Sequence, residues 1–197
     1  YVGARKLWDP GRPARELLRE FCTGVYGDTY GEDVAQGFEA LGQARCGARC
    51  WGEPGTPGGP FFGPVNPQNV TCALGLGSDD IEGTLRQVRD GLQRIERAHA
   101  DPTHIPRIPL TIEPQALVLE LCEHLRYVEA FYRLRGSVRD AECARAKGIN
   151  RTDMEHLVRE GLAIEPPPLT LSWGTTEAAE ISALRTRLQS ISERPSE

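Results

Sequence analysis

Between Ile81 and Ile95 the apolar side chains fall at Ile81, Leu85, Val88, Leu92 and Ile95, in alternating steps of four and three. That spacing belongs to a helix with one buried face, because 3.6 residues per turn bring such positions onto a single stripe. Asp79 and Glu82 stand at its start as D-x-x-E, an arrangement suited to satisfying the free N–H groups of a first turn. A stripe of this length cannot be left in water, so the remainder of the chain has to cover it.

The remainder has the same character. Leu17, Leu18, Phe21, Cys22 and Val25 repeat with helical spacing after the break at Asp9-Pro10 and Gly11-Arg12-Pro13. Gly27 stands where a left-handed terminating residue is expected, and Asp33, Val34, Phe38 and Leu41 predict a further helix towards Cys46. A second long helix begins near Thr111 or Pro114 and carries Leu117, Leu121, Leu125, Val128 and Tyr132. Its first half, ALVLELC, is apolar almost all round and is expected to be central, with Gly136 ending it. Val138–Ala146 and Thr152–Leu162 read as two shorter helical segments, and Pro166-Pro167-Pro168 stops the pattern. A last helix from Thr175 or Thr176 sets Ile181, Leu184, Leu188 and Ile191 on one face, with Arg185 and Arg187 on the other.

Nothing alternates with period two for long enough to build a sheet, and no internal repeat is found. The expected fold is therefore all-α: a helical array or bundle without a substantial sheet. Residues 1–165 form the expected helical accessory domain, and residues 166–197 a Pro-rich linker, the last helix and a frayed tail. Residues 52–77, GEPGTPGGPFFGPVNPQNVTCALGLG, interrupt the first of these. Proline removes backbone donors there and glycine frees the backbone, so a long loop is expected and is the best place to look for binding.

Composition narrows the function. The formal charge is −5 and no basic block stands clear of acids, which disfavours nucleic acid as a partner. No apolar run approaches the roughly 20 residues of a spanning helix, so a membrane is not expected either. A chain of 197 residues can bury a core without staples, so most of the six cysteines are expected to be buried thiols, with a bridge from Cys46 or Cys50 to Cys72 as an alternative.

Tyr1–Trp8 reads as the tail of a helix already under way, which predicts a chain excised from something longer. The run from Tyr1 through KLWDP at Lys6–Pro10, ELLREF at Glu16–Phe21 and VYG at Val25–Gly27 resembles the helical region after the catalytic barrel in certain bacterial glycoside-hydrolase-like proteins. FFGPVNPQN at Phe61–Asn69 is similar to a loop of the same proteins, and the resemblance extends through the helices near Gly83–Arg97 and Leu117–Gly136. It implies a partner: an upstream (β/α)₈ barrel against which this region packs, with Trp8, Asp9 and Pro10 structural. In such proteins the acid and base carboxylates belong to the barrel, so no catalytic residue is assigned in this chain.

Other constellations are weaker. Cys46-x₃-Cys50 and His99-x₄-His104 are only loosely zinc-like, and neither a metal nor a cofactor is expected. Cys122 and His124 are two apart on a helix and point different ways, which makes Cys122 core and His124 exposed. Glu142–Leu162 carries the helix, glycine turn, polar cap and second helix of a helix-turn-helix, with Asn150 as the cap and Arg151, Thr152 and His156 facing a groove. Its basic residues are matched by acids, so two packed helices are the plainer reading, with a DNA-binding regulatory or scaffold protein using residues 142–162 as the alternative. The aromatic residues of the loop, with a neighbouring amide, are the candidates for stacking on a sugar ring: Trp51, Phe61, Phe62 and Asn66.

Overall fold

The computed structural model describes residues 5, 7, 9–46, 81–101, 114–167 and 176–193. Five helices carry most of them: α1 (Ala14–Cys46), α2 (Ile81–Ala100), α3 (Pro114–Ala146), α4 (Arg151–Leu162) and α5 (Thr176–Glu193). No strand occurs among the described residues, and the fold is all-α as the periodicity requires.

α1 is a folded element. Gly27 sits at φ 77° and ψ 173°, a backbone conformation essentially reserved for glycine. The arms on either side, residues 14–26 and 28–46, turn back along each other. Arg15 reaches Glu39 at 2.7 Å and Arg19 reaches Glu32 at 2.9 Å. In a straight helix residues 15 and 39 would stand about 36 Å apart at 1.5 Å per residue. Close approach depends on Gly31, where a Cβ would lie 2.5 Å from the Thr23 Cα. The expected pair of helices parted at Gly27 is thus present, joined more tightly than an ordinary loop would allow.

α2 runs antiparallel to the second arm of α1. Asp33 receives Arg94 at 3.2 Å and Arg97 at 3.3 Å, and the Tyr30 hydroxyl donates to Asp101 at 3.0 Å. Glycine again sets the spacing: a Cβ on Gly91 would stand 2.8 Å from the Ala40 Cβ. The stripe of Ile81, Leu85, Val88, Leu92 and Ile95 is buried, facing the core as its period demands.

α3 is the shared spine. α2 lies along it from Arg126 to Arg139, α1 meets it near Leu121, and its second half also receives α4 and α5. Val118, Leu121, Leu125, Val128, Leu134 and Val138 are all buried, as expected of a central helix. Gly136 does not end it. The helix continues to Ala146, because the cost of about 1 kcal/mol for an interior glycine is outweighed by packing against Ile81 and the helices beyond. His124 also departs from expectation, being 4% exposed with its Nδ1 2.9 Å from the Glu120 carbonyl oxygen. A helix covered on nearly every side leaves few exposed positions.

α4 is built from local signals. Gly148 at φ 70° turns the chain out of α3. The Asn150 side chain then accepts from the Asp153 amide at 3.0 Å and donates to the Asp153 carboxylate at 2.7 Å. α4 docks closely through Gly161, where a Cβ would meet Leu188 at 2.5 Å and Ser137 at 2.8 Å. In α5, Ile181, Leu184, Leu188 and Ile191 are buried as expected. Its arginines are engaged: Arg187 reaches half-buried Glu142 at 3.2 Å, and Arg185 donates to the Ile164 carbonyl at 2.7 Å. Of the described residues, no helix is long and apolar enough to cross a membrane.

Candidate functional site

The predicted sugar-facing residues Trp51, Phe61, Phe62 and Asn66 lie outside the described residues, as does Trp8. The site that the structure does build is at the turn into α1. The Asp9 amide donates to the Arg5 carbonyl at 2.8 Å, the last bond of a helical segment, and Arg12 returns an amide to the Asp9 carbonyl at 3.3 Å. Pro13 comes just before the first helical residue, where its missing N–H costs nothing, and its carbonyl accepts from Glu16 and Leu17.

Glu20 fixes this turn. It receives Arg12 at 2.7 Å and Arg5 at 3.4 Å, one from the turn itself and one from the segment before it. Arg12 also meets Glu16 at 3.7 Å, and the hydrogen bond to Glu20 holds its guanidinium charged more firmly than usual. Single exposed ion pairs contribute little to stability, but two converging on one carboxylate restrict direction as well. Leu7, two residues after Arg5, is 86% exposed. A large apolar side chain thus faces solvent close in sequence to the Arg5–Glu20 contact.

The chemistry available elsewhere is limited. Cys22 and Cys122 are free and buried, and burial pushes their thiols up to about 12 and about 11. Such thiols are poor nucleophiles. Tyr26 is fully buried and its hydroxyl is likewise raised by burial. Cys143 is not one of the buried free thiols, for it is disulfide-bonded. Among the described residues no group of three or more histidine, cysteine or acidic side chains is placed to hold a metal ion.

The helix-turn-helix shape expected at Glu142–Leu162 is present, including the Asn150 cap. Much of its positive charge is paired. Arg151 pairs with Glu155 at 2.7 Å, Arg145 with Glu142 at 2.9 Å, and Arg139 with Asp140 at 2.9 Å, while the His156 ring lies 3.4 Å from Glu160. A groove-reading helix needs cations facing phosphate, and carboxylates instead engage Arg151 at the start of α4 and Arg145 before the turn.

No family model, curated protein or solved structure matches this chain. The sequence pattern missed the Glu20 junction because its partners are 15 and 8 residues away and no short motif joins them. The one available signal was an isolated leucine in a charged segment, ARKLWDP.

Proposed function

We propose that this chain is a non-catalytic helical module that braces a larger neighbouring domain of a glycoside-hydrolase-like protein. The observation that carries the reading is Leu7, exposed on a segment clamped through Glu20 to the body of the module. An apolar side chain held in a fixed direction is what a second packed body uses, and burying a leucine is worth about 1.5–3 kcal/mol. The resemblance of KLWDP, ELLREF and VYG to the region following a sugar-hydrolase barrel supplies the nature of that body. On this reading the aromatic loop residues Trp51, Phe61 and Phe62, with Asn66, help to frame a carbohydrate cleft, and catalysis resides in the barrel.

The test is reconstitution. The segment encoded upstream of Tyr1 is expressed separately and mixed with this chain, as wild type and as Leu7→Asp. Stable association that Leu7→Asp weakens by at least about tenfold, a loss of 1.4 kcal/mol, is the expected result. An upstream sequence without alternating strands and helices sinks the reading, and so does an association indifferent to Leu7. The isolated chain is expected to hydrolyse no glycoside. Hydrolysis that survives purification and vanishes on one carboxylate substitution would place the chemistry here instead.

A further inference from the structure

The α2–α3 seam carries an unpaired place in its charge pattern, and its position follows from the register. Three ion pairs fix how the two antiparallel helices align: Glu82 with Arg139 at 3.7 Å, Arg89 with Glu129 at 2.9 Å, and Glu96 with Arg126 at 2.7 Å. The paired numbers sum to about 220 in each case, and Ile81 beside Gly136 agrees. Arg86 lies one turn before Arg89 on α2, and Arg133 lies one turn after Glu129 on α3. Because the helices run in opposite directions, both are displaced the same way from the Arg89–Glu129 bridge. They therefore face each other across the seam, and both are exposed.

Each of these arginines has a carboxylate one turn away that is already committed elsewhere. Glu129, in the favoured i, i+4 position for Arg133, is taken by Arg89, and Glu82, in the same position for Arg86, is taken by Arg139. Asp90 follows Arg86 by four residues, the less favoured order, and does not pair with it. Among the described residues, neither Arg86 nor Arg133 makes an ion pair, although α1 and α3 elsewhere pair their arginines with acids repeatedly.

We propose that Arg86 and Arg133 together bind a single tetrahedral dianion, a sulfate or phosphate group, across the α2–α3 seam. Two guanidinium groups offer paired donors to one small oxyanion, which is a common arrangement for phosphate and sulfate. The surrounding acids Glu82, Asp90, Glu129 and Asp140 keep the local field from extending, so the site fits one isolated group and excludes a polyanion such as nucleic acid. This inference does not depend on the bracing role proposed above.

The experiment is NMR of the arginine Nε–Hε groups in the full chain, titrated with sodium sulfate, sodium phosphate and sodium acetate at constant ionic strength. The expected result is saturable shifts of Arg86 and Arg133 with sulfate and phosphate in the millimolar range, and at least tenfold weaker effects with acetate. Arg86→Gln or Arg133→Gln should abolish saturation at the remaining partner, and Arg159→Gln on α4 should leave it intact. Linear shifts without saturation overturn the proposal, as does saturation that survives either seam substitution or that acetate matches. The seam residues are exposed, so the variants are expected to keep the fold, and unchanged backbone amide spectra verify it.

Discussion

Two groups of helices pack on α3 by different means. On one side, α1 and α2 pack along it as far as Arg139, in a cluster where glycine and alanine let backbones approach and the cysteines Cys22 and Cys122 are free and sealed. At its second half, α4 and α5 dock around a polar node, Glu142 with Arg145 and Arg187, and the nearby Cys143 is disulfide-bonded. The difference is in where the specification resides. The first cluster depends on contacts between residues far apart in the chain, whereas α4 is largely specified by its own turn and cap. The first should therefore fail as a unit when one contact is removed, and the second should lose stability in small local steps.

The largest expected effect separates the two clusters by their sulfur chemistry. With its thiol raised from about 9 to about 12, Cys22 has about a thousandfold less thiolate at neutral pH than an ordinary cysteine. Iodoacetamide should leave Cys22 and Cys122 unmodified in the native chain, while Cys143, only half-buried, should be alkylated after mild reduction and not before. Peptide mapping by mass spectrometry reads the order directly, and rapid native labelling of Cys22 would show that the first cluster is not sealed. The same burial gives stability a sign in pH. Folding keeps these thiols protonated, so their contribution is complete below the unfolded value near 9 and is lost as pH rises through about 11 for Cys122 and about 12 for Cys22.

Next in size is the fold of α1 upon itself. Gly31→Ala places a methyl group 2.5 Å from the Thr23 Cα and 2.7 Å from its nitrogen, and backbone cannot yield as a side chain can. A loss of about 3 kcal/mol is expected, at the upper end for an overpacked site. Gly24→Ala, seven residues earlier and with nothing within 4 Å, should instead gain about 0.5–1 kcal/mol through helix propensity. Urea midpoints of the two variants decide the matter. If both shift the same way, the arms of α1 do not touch as described.

What the amino-acid pattern discloses follows the same division. The stripe from Ile81 to Ile95, the Asn150 cap and the buried face of α5 depend on neighbours three or four residues away, and each was placed correctly from its spacing. The passage of α3 through Gly136 and the burial of His124 were not, because both are settled by helices packed from elsewhere. Propensity gave Gly136 as a stop, and tertiary packing outweighed it. The turn at Glu20 belongs to the same class, since an arginine five residues from the start of the chain acquires meaning only when α1 lies beside it. The loop residues Trp51, Phe61, Phe62 and Asn66, proposed to face a sugar, are outside the described residues, so their role rests on the resemblance.

The smallest effect tests the local side of the comparison. Asn150→Ala removes both the acceptor for the Asp153 amide and the donor to its carboxylate, and should cost about 1 kcal/mol, the usual worth of such a cap. The loss should be confined. Hydrogen exchange is expected to rise in the first turn of α4, while amides of α2 and of the first half of α3 remain protected, because α4 docks through Met154, Val158 and Gly161 further along. If protection instead falls throughout α1, α2 and α3, the two clusters are one cooperative unit and α3 transmits the loss along its length. That outcome would move the boundary of the module, because a neighbouring body docked at Leu7 would then feel a change made at the far end of the spine.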